Sequence, residues 1–147
     1  MKEDVSWIIA NSGAKRCVEC GKCVAVCPMF AMYPNFSYDI SPRGMIKKAM
    51  MDADLLHDKA IWFCTECNAC TDTCPEGVSC RNLLAGFREQ AVRAGLVEHG
   101  FFCSQCGRLF LPSYVMEYLK EILRDSSGEF LTICPSCRRL EYGRRNA

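Results

Sequence analysis

No apolar run in the chain approaches the ~20 residues needed to cross a bilayer. The opening stretch, MKEDVSWIIANSGAKRC, lacks the unbroken apolar core of a secretory signal. Charge of one sign is also missing: a formal net charge of +1 gives no electrostatic reason to expect nucleic acid or acidic lipid as a partner. There is no GxGxxG turn, no P-loop and no HExxH pair, so nucleotide binding and zinc-protease chemistry lose their usual signatures. Histidine is nearly absent, with His57 and His99 the only two, and both read as surface or boundary residues and not as bases or ligands. The expectation is a cytoplasmic protein with no substrate chemistry on this chain alone.

Cysteine is abundant. Thirteen in 147 residues call for either a disulfide framework or metal sites, and a reducing location favours metals. Half the residues are apolar and 24% are charged, as in a soluble globular protein large enough for a modest core.

The cysteines are ordered. CVECGKCVAVCP from Cys17 to Pro28 recurs as CTECNACTDTCP from Cys64 to Pro75, and a shift of 47 places Cys17, Cys20, Cys23, Cys27 and Pro28 on Cys64, Cys67, Cys70, Cys74 and Pro75. This is an internal duplication. CxxCxxCxxxCP is the bacterial iron–sulfur run: three closely spaced thiolates reach one [4Fe–4S] cube, and the displaced fourth, followed by proline, serves the other cube. The spacing therefore assigns Cys17, Cys20, Cys23 and Cys74 to one cluster and Cys64, Cys67, Cys70 and Cys27 to a second. A structural zinc is satisfied by four ligands, commonly two CxxC pairs, and would leave the third close cysteine unused. Gly21, Ala25 and Ala69 are small enough to let backbone N–H groups approach cluster sulfurs. Lys15, Arg16 and Lys22 lie near the first motif, where solvation is the simplest account of each.

Each copy precedes a helical pattern. SPRGMIKKAMMDADLL has Ser41 as a cap and Pro42 at the first helical position, and RNLLAGFREQAVRAGL carries Leu83, Leu84, Phe87, Ala91 and Ala94 on one face with Gly95 as a stop.

SPRGMI, IWFCTECNACTDTCPEGV and FREQAVRAGL resemble the C subunit of heterodisulfide reductase, over about residues 15 to 97. Similar motifs occur in iron–sulfur subunits of succinate dehydrogenase, glycolate oxidase and sulfite-reduction complexes. The resemblance implies a mainly α fold, the α-helical ferredoxin, with the same eight cysteines as ligands. It further implies an electron-transfer subunit that passes single electrons between the flavin-containing, iron–sulfur A subunit of heterodisulfide reductase and its catalytic B subunit. A redox-sensing iron–sulfur and zinc regulator, or the iron–sulfur subunit of a membrane quinone-linked oxidoreductase, are the alternatives. Cys80 has no place among the eight ligands and reads as a small buried hydrophobe, with a redox thiol as the other reading.

Composition changes near Gly100, dividing the chain into residues 1–99 and a small module over 100–147. In the module, FFCSQCGRLF and EFLTICPSCRR read as two extended segments, each with a CxxC. Between them, PSYVMEYLKEILRD places Val115, Tyr118, Leu119, Ile122 and Leu123 on one helical stripe. Cys103, Cys106, Cys134 and Cys137 then form a four-cysteine site of zinc-ribbon or rubredoxin type, with Zn2+ preferred, a single iron as the alternative and free thiols as the remaining possibility. The basic tail RRLEYGRRNA, with Arg138, Arg139, Arg144 and Arg145, reads as a mobile solvated surface.

Overall fold

A computed structural model describes residues 2–124 and 131–145, with side chains over 5–124 and 131–144. The chain divides into two compact units, Met1–Glu98 and His99–Ala147. Helices dominate, and the only sheet among the described residues has two strands.

The first unit is built from α1 (Lys2–Ser12), α2 (Lys22–Ala25), α3 (Met29–Met32), α4 (Pro42–Met50), α5 (Ala69–Asp72) and α6 (Cys80–Arg93). Single 3₁₀ turns lie at Ala14–Arg16, Tyr38–Ile40 and Lys59–Trp62. The helices expected after the two motifs, α4 and α6, start as their sequences dictate. Ser41 Oγ accepts from Gly44 N at 3.1 Å with Pro42 at the first helical position, and Ser79 Oγ accepts from Asn82 N at 3.1 Å. The first pattern ends earlier than expected: α4 stops at Met50, and Asp52 takes a left-handed conformation with φ of 53°. Gly44 cannot carry a side chain, because a Cβ there would lie 1.9 Å from the Tyr38 carbonyl oxygen.

The apolar face of α6, with Leu83, Leu84, Phe87 and Ala91, is buried, and Leu96 N closes onto Ala91 O at 2.8 Å beyond its end. Met29, Met45, Ile46, Leu55 and Ile61 complete this core. The segment before the first motif forms α1, which the sequence pattern did not announce. It packs on α6 through Ile8 and Ile9, and does so closely: a Cβ on Gly86 would meet Ile8 Cγ2 at 2.8 Å. The backbone of Ser79 then donates to Ser12 O at 2.8 Å, tying the start of α6 to the end of α1.

In the second unit, β1 (Gly100–Phe102) and β2 (Leu109–Pro112) pair antiparallel, Gly100 with Pro112 and Phe101 with Leu111, with an irregularity between Phe101 and Phe102. They are followed by α7 (Ser113–Leu123) and α8 (Pro135–Arg145). Three expectations need correction here. In EFLTICPSCRR, Glu129 and Phe130 lie outside the described residues. The remainder is helical at 131–132 and again from Pro135, because proline after Cys134 opens a helix where its missing N–H costs nothing. The basic tail is the body of α8, with Arg138, Arg139 and Arg144 on the helix; the side chain of Arg145 and residues 146–147 lie outside the described residues. On α7 the buried pair is Val115 and Met116, while Ile122 is 56% exposed. The β1–β2 hairpin packs on that helix, with Lys120 over the Phe101 ring at 5.8 Å from its centroid.

Candidate metal centres

The two cysteine motifs adopt the same local conformation. Glu19 and Glu66, at φ of 54° and 56°, and Gly21 and Asn68, at φ of 77° and 70°, are left-handed at equivalent positions of the duplication. Each loop thus turns twice in the disfavoured sense between its first and third cysteines, which wraps three thiols around one point. A short helix, α2 or α5, then carries the chain to the fourth cysteine.

Two cavities result. The first is walled by Cys17, Cys20, Cys23 and Cys74, together with Cys70 and Cys80. The second is walled by Cys27, Cys64, Cys67 and Cys70, again with Cys80. Each cavity therefore combines three cysteines of one motif with the fourth of the other. Gly21 lines the first cavity, whereas Ala25 and Ala69 sit in α2 and α5 and line neither, although Cys23 and Cys70 of the same helices do.

The donor chemistry fits a cluster with thiolate ligands. Burial pushes the Cys23 thiol up, and it pushes Cys27 up to about 11. Burial likewise raises Cys64, against the pull of the nearby Arg88 guanidinium. Clustered thiols that resist ionisation alone are the groups a bound cation stabilises as thiolates. Backbone donors are in place, with Glu66 N on Cys64 Sγ and Val78 N on Cys74 Sγ, both at 3.3 Å.

Cationic side chains brace both loops. On the first, Glu19 pairs with Arg43 at 3.0 Å and with Lys47 at 2.7 Å, near the surface. These two partners hold its carboxyl below the usual range, Lys47 contributing most. On the second, Arg88 is only 5% exposed and donates from Nε to Ile61 O at 2.7 Å, from Nη2 to Cys64 O at 2.6 Å and from Nη1 to Glu66 at 2.5 Å. Its guanidinium also lies over the Trp62 ring, 5.8 Å from the centroid. None of Glu19, Glu66, Arg43, Lys47 or Arg88 stands out in the sequence, although the two glutamates recur at the duplication interval. Of the basic residues that do, Arg16 donates to Gly77 O at 3.3 Å, while Lys15 and Lys22 are exposed. His57 pairs with Asp54 at 2.7 Å and His99 stacks near Tyr114; neither lines either of these two cavities.

In the second unit, Cys103, Cys106, Cys134 and Cys137 place their sulfurs within 4.8 Å of one another. Cys103 and Cys106 occupy the turn of the β1–β2 hairpin, Cys134 precedes α8 and Cys137 lies in its first turn. Metal–sulfur bonds of ~2.3 Å in a tetrahedron set sulfurs ~3.8 Å apart, and Cys106 and Cys134 are separated by 3.8 Å. The Cys134 N–H, 3.3 Å from Cys103 Sγ, leads the causes that lower the Cys103 thiol to about 6. Cys137 is pushed up to about 12, chiefly by its contact with Cys134. Gln105 hydrogen-bonds Glu141, and Ser104 N donates to Thr132 O at 3.0 Å, fastening the two halves of the site.

These features define a class. The 4Fe-4S dicluster domain model matches residues 13–78, and no helix among the described residues is long and apolar enough to cross a membrane. The C subunit of the ferredoxin/F(420)H(2)-dependent CoB-CoM heterodisulfide reductase of Methanosarcina acetivorans is 32% identical over 115 residues, 73% of this chain and 68% of that one. The chain belongs to the family of heterodisulfide reductase C subunits. The C subunit of the ferredoxin:CoB-CoM heterodisulfide reductase of the same organism is 34% identical over 57% of this chain and 32% of its own length. A glycolate oxidase iron-sulfur subunit from Escherichia coli is 33% identical over 67% of this chain and 26% of its own. Across three of the heterodisulfide reductase relatives that it matches, the chain spans 32% to 59% of their length.

Proposed function

We propose that the chain is the electron-transfer subunit of a heterodisulfide-reductase-like complex. Cys17, Cys20, Cys23 and Cys74 hold one [4Fe–4S] cluster, and Cys64, Cys67, Cys70 and Cys27 hold the other. Cluster binding by this class of domain is established; the ligand division rests on the two cavities, each of which draws its fourth cysteine from the opposite half. When bound, each cluster takes up and returns a single electron. The protein's own part is to supply thiolates, to donate N–H bonds to their sulfurs, to surround them with apolar wall and to brace each loop with a cation. Glu19 and Glu66, the carboxylates that line the two cavities, are held in ion pairs with Arg43, Lys47 and Arg88, and chemistry on a substrate falls to other subunits.

By likeness to its relatives, the chain joins a flavin and iron–sulfur subunit of type A to a catalytic subunit of type B, in a cytoplasmic hetero-oligomer. The four-cysteine group of the second unit holds Zn2+: four thiolates at tetrahedral spacing complete the ion's coordination and leave no open position for catalysis. A small module gains its stability from such a staple.

Anaerobic isolation from the native source, with subunit identification and metal counting on one sample, tests this reading. About eight irons and one zinc per chain are expected, with flavin and iron–sulfur proteins co-purifying. Colourless, iron-free material would refute it.

A further inference from the structure

The thiol of Cys80 stands in both cluster cavities. It is 1% exposed and lines the first cavity and the second, and its neighbour there, Cys70, is the one other residue common to the two walls. Cys80 opens α6, immediately after its Ser79 cap.

The internal symmetry gives this position a counterpart. Ser41 and Ser79 cap their helices in the same way, each accepting from the N–H three residues on, so Pro42 matches Cys80 and Arg43 matches Arg81. Arg43 lines the first cavity and Arg81 the second, as the matching requires. At the first helical position the halves diverge: Pro42 offers only carbon to the second cavity, while Cys80 offers a thiol to both. Proline and cysteine are both acceptable at a first helical position, so the helix itself does not demand the thiol.

We infer that Cys80 is not a ligand but a sulfur-directed hydrogen-bond donor in the partition between the two sites, and that it sets the reduction potential of the Cys70-ligated cluster above the value this cage would otherwise give. The inference rests on the cluster assignment proposed above. Cys80 and Cys70 wall the same two cavities, which sets the Cys80 thiol beside the sulfur of Cys70 in the partition. Hydrogen bonds to cluster sulfurs stabilise the more negative, reduced state, which raises the potential. A thiol is a weak donor, so the effect is modest and a hydroxyl in its place strengthens it.

The test is an anaerobic redox titration of the full chain, followed by electron paramagnetic resonance, with iron counted on each sample. In Cys80→Ala at full iron content, one of the two reduction waves should fall by about tenfold in its equilibrium constant, about 59 mV for one electron, with the other moved far less. Cys80→Ser should return that wave to its original position or above it. Cys80→Pro copies the other half of the molecule and should move the same wave downward. Two unmoved waves in iron-replete Cys80→Ala would overturn the inference, as would equal shifts of both waves. Loss of about four irons in Cys80→Ala and in Cys80→Ser alike would make Cys80 a ligand and overturn it too. If Cys80→Ala does not accumulate, Cys80→Ser decides: a wave that falls below its original position counts against the donor role. Wild-type protein without iron would instead refute the cluster assignment itself.

Discussion

Arg88 offers a direct measure of how the second cluster loop is held. Replacing it with methionine keeps much of its volume but removes the donors to Ile61 O and Cys64 O and the partner of Glu66. Glu66 has a side chain 35% exposed, so water can take over part of the lost ion pair. The carbonyls of Ile61 and Cys64 are less fortunate, and each unsatisfied buried acceptor costs about 1–3 kcal/mol. The sum, about 2–6 kcal/mol, brackets the usual cost of about 3–5 kcal/mol for breaking a buried charged network. At about 2–4 °C per kcal/mol for a chain of this size, the thermal midpoint should drop by roughly 10 °C. Because the lost donors serve the loop of Cys64 and Cys67, iron should leave that loop first. The assay is anaerobic thermal unfolding of the loaded chain, paired with the rate of iron release to a chelator; the Arg88→Met protein should release about half its cluster iron well ahead of the rest. Arg88→Lys keeps the charge without the fork of donors and should fall between. A midpoint within about 1 °C of wild type, with both clusters released at the wild-type rate, would refute the bracing role.

The crossed ligands predict that Cys74→Ala resembles Cys23→Ala, and Cys27→Ala resembles Cys70→Ala, in which cluster signal is lost; grouping by motif instead would reject the crossing. Gly44→Ala should destabilise the first unit by about 3 kcal/mol or more in anaerobic unfolding, because its Cβ meets backbone at 1.9 Å. Gly86→Ala meets Ile8 Cγ2 and Cγ1 at 2.8 and 2.9 Å on a stiff buried side chain, so α1 must shift on α6 and a loss of about 1–3 kcal/mol is expected, less than at Gly44 because alanine's helix propensity offsets part of it; equal losses at the two positions would contradict both placements. For the four-cysteine site the pH dependence has a definite sign. Cys137 is raised to about 12 without metal and keeps its proton at neutral pH, so binding must expel it and zinc affinity must rise with pH. Competition with a chelator between pH 6 and 8 measures this, and a flat profile would mean that Cys137 does not ligate.

The cluster cages are largely legible in the sequence because their spacing is dictated by ligand chemistry over a few residues. Much of what supports them is not. Glu19 and Glu66 repeat at the interval of 47, yet their cationic partners lie 24 and 22 residues onward, on different helices, so the repeat does not carry one onto the other. Helix α1 seats Ile8 against α6 at Gly86, where any side chain would crowd it, a tertiary fact with no local mark. In the second unit, CPSC reads as the turn of an extended ribbon, whereas Pro135 marks the first residue of α8. The same preference for proline at a helix start is plain at Pro42, where a serine cap precedes it.

Duplication by itself would give two nearly identical sites, and two identical sites make a poor directional relay. The differences between the halves are therefore more informative than the repeat. The first loop is braced at the surface, where Arg43 and Lys47 share Glu19 and water screens all three. The second is braced by a buried guanidinium, whose field is screened far less, and its third cysteine shares the partition with the Cys80 thiol where the matching position in the first half is proline. Both departures favour extra negative charge on the second site, since a nearby buried cation and a donor to sulfur each stabilise it. Arg88 and Cys80 lie on the same helix, α6, so the element that gives the unit much of its core also carries the asymmetry between its two cages.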